Sequence, residues 1–166
     1  MTRRLKDELQ QKKPFAGPAH EAWLEIQRTA AVTGRWAVEA LAPSGLTPSQ
    51  FNVLRILRGA RPEALACARI AERMVEHDPD LTRLLDRLEA AGLVEKTRDA
   101  KDRRVVNVAI TKAGLSVVDL ASVAVERRIE DGLSSVPKSR LETLSDLLEL
   151  VRENAEGVRT SEGDPS

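Results

Sequence analysis

The amino-acid sequence predicts a mainly α protein (α+β class) in which a short β-hairpin follows two closely spaced helices. Apolar residues recur at three- and four-residue intervals along most of the chain, which is the period of amphipathic helices. Proline and polar capping residues mark two of the helix starts. Apolar and polar residues alternate, as in strands, beside a charged loop at residues 99–104.

Composition limits the classes of protein to which the chain can belong. It has 166 residues, enough for one sizeable core, of which 42% are hydrophobic and 31% charged. The formal net charge is zero, so any surface that binds a polyanion must be local. The single cysteine excludes an intrachain disulfide, and we expect neither a metal nor a cofactor. No run resembles a signal peptide or a membrane span, so we expect a cytoplasmic protein with no membrane partner.

The first part of the chain predicts an arm followed by two helices. Residues 1–18 are polar and end in PFAGP, which predicts a flexible N-terminal arm. Apolar spacing then predicts a helix over 19–41, with Trp23 packed in the core and Trp36 at the surface or in an interface. The segment LTPSQF starts the next helix, with a threonine N-cap, a proline in the first turn and a capping box.

Two further helices separated by a short turn follow. The first covers residues 65–75. The second begins with Asp78 as N-cap, Pro79 at the first helical position and Asp80 near the positive end of the helix dipole, and it ends at Gly92. Four leucines form its apolar face. The opposite face and its flanks carry Pro79, Thr82, Arg83, Asp86, Arg87 and Ala90.

The predicted hairpin has strands over 93–98 and 105–111, joined by the loop DAKDRR. Residues 96–104 contain five cations and two anions, a local excess of three on a neutral chain. A narrow minor groove attracts such a loop.

The chain ends with two long amphipathic helices. The first, over 112–132, has Thr111 as its cap, and the second begins within VPKS. Together with the helix over 19–41, they carry more apolar surface than one subunit can bury, which favours a partner surface. Residues 157–166 predict a disordered tail.

A helix-turn-helix with a charged hairpin favours duplex DNA, because an α-helix fits the major groove and arginine can donate two hydrogen bonds to guanine. Two points stay open from the residues alone. Arg83 stands three residues before Asp86, so it either reads a base or forms a weak ion pair on a solvated face. Asp78 and Asp80 repel phosphate, so they either cap the helix or accept a hydrogen bond from cytosine N4.

The stretches LTPSQFNVLRIL, IAERM, LTRLLDRLEAAGLVEK and DRRVVNVAITKAG together resemble the MarR family of winged-helix regulators. The most specific part is the hairpin signature formed by Asp102, Arg104, Thr111 and Gly114. The resemblance implies a winged-helix domain over 19–156. Within it we expect a DNA-binding lobe over about 46–111 and dimerisation helices over about 19–41 and 112–156.

The resemblance also implies how the domain meets DNA. Such proteins are homodimers that place a recognition helix in the major groove and a wing in the adjacent minor groove of a pseudo-palindrome. By position, Arg104 enters the minor groove while Asp102 holds it in place. The residues expected to contact DNA lie on the second helix and on the wing, and they are Pro79, Asp80, Thr82, Arg83, Arg87, Arg98, Lys101, Asp102, Arg103 and Arg104.

The sequence therefore predicts a sequence-specific DNA-binding transcriptional regulator, a homodimeric repressor of a pseudo-palindromic operator. Release by a small aromatic ligand is a further expectation from the resemblance, with Trp23 and Trp36 as candidate contacts. The alternative is a winged helix that binds another protein and not DNA, which the neutral net charge favours. We do not expect an enzyme, because His20 and His77 are isolated and Cys67 lies on a buried helical face.

Overall fold

A computed structural model describes residues 4–76 and 78–161, with the backbone alone for residues 156 and 158–161. The described chain is mostly helical, with a small antiparallel sheet. The elements are α1 (Leu5–Glu8), α2 (Pro18–Leu41), a 3₁₀ turn (Ala42–Ser44), α3 (Pro48–Ala60), β1 (Leu65–Ala66), α4 (Cys67–Ala71), α5 (Leu81–Ala90), β2 (Val94–Arg98), β3 (Val106–Ile110), α6 (Lys112–Leu133) and α7 (Lys138–Ser161). None of the described helices is long and apolar enough to span a membrane.

The chain divides into two compact units, Met1–Arg128 and Ile129–Ser166, with the boundary inside α6. The first unit holds the helix-turn-helix and the sheet. The described part of the second is the end of α6 and the whole of α7.

The core of the first unit confirms the predicted leucine face of α5. Leu84, Leu85 and Leu88 are buried on this helix because they recur at three- and four-residue steps. They belong to one cluster with the apolar faces of α3 and the sheet. Its fully buried members elsewhere are Leu41, Val53, Leu54, Leu57, Ile70, Val94, Val108 and Val118.

The sheet contains the predicted hairpin and one strand that the sequence did not predict. Strands β2 and β3 pair antiparallel with Val94 opposite Ile110, which confirms the hairpin. Strand β1 pairs with the other edge of β3, giving the order β1–β3–β2. The predicted helix over 65–75 is therefore wrong at both ends. Leu65 pairs with Val108 in a strand, and α4 covers only Cys67–Ala71.

Three predicted helix ends are confirmed by their hydrogen bonds. Thr47 caps α3 by accepting from the Gln50 N–H at 3.2 Å, and the Gln50 side chain accepts from the Thr47 N–H at 2.9 Å. Thr111 caps α6 by accepting from the Gly114 N–H at 3.0 Å. Gly92 follows α5 with φ +70°, a conformation that favours glycine.

Three expectations for the ends of the chain and for α2 need correction. In the predicted flexible arm, residues Leu5–Glu8 form α1, with Leu5 buried and Glu8 in an ion pair with Arg28 at 3.4 Å. Helix α7 continues to Ser161, beyond the predicted start of the disordered tail, because one glycine within a helix, here Gly157, costs only about 1 kcal/mol. Residues 1–3 and 162–166 of the two predicted segments lie outside the described residues. Trp23 is not in the core, since it is 56% exposed.

Candidate nucleic-acid interface

Helix α5 starts later than the sequence predicts, and the reason is an Asx turn. The Asp78 carboxylate accepts a hydrogen bond from the Asp80 N–H at 2.9 Å, which fixes residues 78–80 in a turn with Pro79 in its middle. The helix begins at Leu81 with Asp80 as the N-cap residue, and the Asp80 carbonyl accepts from the Leu84 N–H. Asp78 is therefore not the N-cap, and Pro79 is not at the first helical position.

The Asp80 side chain turns toward the exposed face of α5 and does not cap the helix within the described structure. Its Oδ2 atom lies 3.3 Å from Nη1 of Arg83. The sequence left open whether Arg83 pairs with Asp86, and in the structure Arg83 pairs with Asp80 instead. Thr82 and Arg87 are exposed on the same helix.

The wing is the hairpin of β2, β3 and the loop between them, residues 94–110. A salt-bridge cluster joins α5 to its first strand, β2. The Lys96 ammonium contacts a carboxylate oxygen of Asp86 and lies 2.9 Å from Oε2 of Glu89. The Lys96 N–H also donates to Oε1 of Glu89 at 3.1 Å. The hydrogen bond to Asp86, followed by the one to Glu89, raises the pKa of Lys96. The charge of Lys96 is therefore paired within the protein. The five cations counted in the sequence at residues 96–104 thus include one that is not free to bind an anion.

The wing loop is organised by Asp99, a residue that sequence reasoning missed as a functional position. Its Oδ1 atom accepts from the backbone N–H groups of Lys101 at 2.8 Å and Asp102 at 3.1 Å. Its Oδ2 atom accepts from the side-chain amide of Asn107 at 3.2 Å. The hydrogen bonds from Asp102, Lys101 and Asn107, in that order, lower the pKa of Asp99. An aspartate two residues before a basic turn is the signal that could have revealed it.

Asp102 acts on the backbone of the wing. Its Oδ1 atom accepts from the N–H of Arg104 at 2.9 Å, so it orients the residue that the resemblance assigns to the minor groove. The other wing cations are Arg98, Lys101 and Arg103, which are exposed along with Arg104. No anionic partner for these four side chains occurs among the residues that the structure describes.

A buried amide holds the connection between α4 and α5. Asn52 on α3 is buried, and its Oδ1 atom accepts from the Val75 N–H at 3.0 Å. This bond anchors the turn that leads into α5 to the rigid core helix. It is a contact across 23 residues of sequence, so spacing along α3 gave no sign of it.

The two ligand candidates lie in different surroundings on α2. Trp23 stacks on His20, with ring centroids 6.4 Å apart. The Trp36 ring is covered by the Arg128 guanidinium at 4.8 Å, and Arg128 also pairs with Glu39.

Cys67 is half-buried, with its Sγ 3.4 Å from the Val106 carbonyl oxygen, and burial raises the pKa of its thiol. Within the described residues, no group of three or more metal-binding side chains is placed to hold an ion.

Sequence comparison relates the chain to transcriptional regulators. A model of the MarR family matches residues 44–105. The HTH-type transcriptional repressor MdtR of Bacillus subtilis is 36% identical over 77 residues, which are 46% of this chain and 48% of MdtR. The HTH-type transcriptional regulator PecS of Dickeya dadantii is 33% identical over 104 residues, 60% of this chain and 62% of PecS. The chain thus spans about half the length of MdtR and less than two thirds of PecS.

Solved structures extend the similarity over most of the fold. A MarR transcription factor from Planctomyces limnophilus is 37% identical with a TM-score of 0.64, and the match covers 82% of this chain and 99% of that one. A mutant of Escherichia coli MarR in complex with operator DNA is 27% identical with a TM-score of 0.69, covering 76% and 89%. These proteins are regulators and not enzymes. Since a 37% identical member is covered almost completely and the family model matches the helix-turn-helix and the wing, this chain belongs to the MarR family of winged-helix transcriptional regulators.

Proposed function

We propose that this chain is a homodimeric repressor that binds a pseudo-palindromic operator in duplex DNA. The observation that carries the proposal is the distribution of unpaired cations in the DNA-binding lobe. Arg98, Lys101, Arg103 and Arg104 line the wing without an anionic partner in the described structure, whereas Lys96, at the base of the wing, is held by two carboxylates. Four free cations therefore lie within residues 98–104, the part of the wing that would meet phosphate.

The recognition helix is α5, which the leucine face fixes against the core. Its exposed side then enters the major groove, where Thr82, Arg83 and Arg87 contact bases or phosphates. Pro79 and Asp80 lie at the end of the helix that leads into the groove. On the wing, Asp102 orients Arg104 for the minor groove, and Arg98, Lys101 and Arg103 contact the flanking backbone.

Dimerisation uses the helices on either side of a lobe that we place at about residues 46–111. The segments 19–41 and 112–156 expose large apolar side chains in the single subunit. These are Trp23 and Val38 on α2, Leu120, Val123 and Ile129 on α6, and Leu144, Leu147, Leu150 and Val151 on α7. A second copy of the chain is the partner that would bury them. The two-fold axis then sets half-sites about 34 Å apart.

Repression and its release are the finer parts of the proposal. Two relatives, MdtR and the homoprotocatechuate degradative operon repressor of Escherichia coli, are named as repressors. We infer that a small aromatic ligand relieves repression by binding beside Trp23 or Trp36. Both tryptophans lie on α2, which is part of the proposed dimer interface. Quenching of tryptophan fluorescence by candidate aromatic acids tests this part, and ligand binding that leaves DNA affinity unchanged would refute it. Operator binding implies a cytoplasmic location.

Selection from a pool of random duplexes, followed by a salt titration of the best sequence, tests the proposal as a whole. We expect enrichment of an inverted repeat and an affinity that falls steeply with salt. Enrichment of no sequence would favour the alternative of a protein-binding winged helix. Binding of the operator by a single copy of the chain would refute the dimer.

A further inference from the structure

We propose that Asp80 and Arg83 act as one unit that reads a single G·C base pair in each half-site. This inference rests on the proposed function, because it names what one part of the recognition helix would recognise. It starts from the ion pair that the two side chains form on the exposed face of α5, with 3.3 Å between Oδ2 and Nη1.

The pair is open to an incoming ligand. The side chain of Asp80 is 51% exposed and that of Arg83 is 80% exposed. The Asp80 carboxylate is not used to cap the helix, and the pair with Asp80 occupies one of the five N–H donors of the Arg83 guanidinium. An exposed ion pair of this kind contributes little to stability, so folding gives no strong reason for it.

The neighbouring carboxylates are committed elsewhere. Asp78 accepts the backbone N–H of Asp80, while Asp86 and Glu89 are held by Lys96 from the wing. Asp80 differs from these three carboxylates because its partner is Arg83, an exposed side chain that can itself contact a base.

A G·C pair has the complementary arrangement in the major groove. Guanine presents N7 and O6 as acceptors. The cytosine N4 amino group lies beside O6 because one of its hydrogens is donated to O6 within the base pair, and its other hydrogen is free in the groove. Arg83 can donate to guanine while Asp80 accepts from cytosine N4, and the bond between the two side chains holds donor and acceptor in that order.

The same arrangement opposes an A·T pair. There the adenine N6 donor would face the Arg83 donors and the thymine O4 acceptor would face the Asp80 carboxylate. Arg83 also offsets the repulsion that a lone carboxylate would meet among phosphates. The pair therefore selects by exclusion as well as by attraction.

The test is the selection from random duplexes, repeated with three single variants. Asp80→Ala removes the cytosine acceptor, and Asp86→Ala is the matched control, because it removes the same charge from the same helix. Both variants should bind random-sequence DNA more tightly than the wild type. Of these two variants, Asp80→Ala alone should relax the preference for G·C at one position of each half-site, by at least about fivefold. Arg83→Ala should relax the same position and weaken binding.

The outcomes separate the two proposals. If the wild type enriches an inverted repeat but Asp80→Ala keeps every base preference, the reading unit is refuted and the proposed function stands. The reading unit is also refuted if the wild type selects an A·T pair at the position whose preference Arg83→Ala relaxes. If the wild type enriches no sequence, both proposals are refuted.

Discussion

The base of the wing depends on a glycine that tolerates no side chain. Gly114, in the first turn of α6, packs so closely against the hairpin that a Cβ at this position would clash with the Leu93 carbonyl oxygen and lie 2.8 Å from Cγ1 of Ile110. That carbonyl also accepts the Thr111 N–H at 3.1 Å. The nearest obstacle is backbone, so relief requires movement of α6 or of the hairpin.

We expect Gly114→Ala to destabilise the protein by about 3 kcal/mol. Overpacking against backbone costs roughly 3 kcal/mol. The strained hydrogen bond between Thr111 and Leu93 adds about 1 kcal/mol, and the better helix propensity of alanine offsets about as much. For a chain of this size, the loss corresponds to a fall in Tm of roughly 6–12 °C.

Urea denaturation at fixed protein concentration measures the effect, and Gly59→Ala is the matched control. Gly59 lies near the end of α3, and a Cβ there meets nothing within 4 Å. The control should be neutral or stabilising by up to about 1 kcal/mol. A Gly114→Ala variant as stable as the control would refute the close approach of α6 to the hairpin.

Four further predictions concern the wing and the proposed dimer. Asp99→Ala should weaken DNA binding roughly tenfold by freeing the wing loop, with Asp99→Asn in between because the amide oxygen still accepts two backbone N–H groups. Because its pKa is lowered, the Asp99 carboxylate should stabilise the wing at all pH values above its ordinary range and lose that effect only as the pH falls through the lowered pKa. An NMR titration with an ordinary midpoint would contradict this. Arg104→Ala should flatten the slope of log affinity against log salt by about one unit, while Arg35→Ala on α2 leaves the slope unchanged. Leu120→Glu should give a monomer by light scattering, while Val75→Glu, exposed to a similar extent outside the dimer helices, should stay dimeric; equal masses would refute the dimer surface.

Features set by neighbouring residues were predictable from the sequence. The leucine face of α5 follows from helical periodicity, and the caps at Thr47 and Thr111 follow from side chains that reach a backbone group three residues away. The positive φ at Gly92 follows from the helix end that precedes it. Each of these is decided within one or two turns of chain.

Features set by distant residues were not predictable. Leu65 has the same apolar side chain in a helix or a strand, and its pairing with Val108 decides between them. The sequence also placed Trp23 in the core from its position on the apolar face of α2. In the structure the buried residue of α2 is Leu41 at its C-terminal end, so Trp23 near the other end remains at the surface.

The partners of the charged side chains show the same limit, and they lead to a last prediction. Asp80 and Asp86 both stand three residues from Arg83, so spacing alone could not choose between them. The choice is made by Lys96, which the hairpin brings to Asp86 and Glu89. The charge of Lys96 is already paired with these two carboxylates. Lys96→Met should therefore weaken DNA binding, because it leaves Asp86 and Glu89 without their cation. It should leave the slope of log affinity against log salt unchanged, in contrast to Arg104→Ala. A slope flattened by about one unit would mean that Lys96 leaves its carboxylates and contacts phosphate.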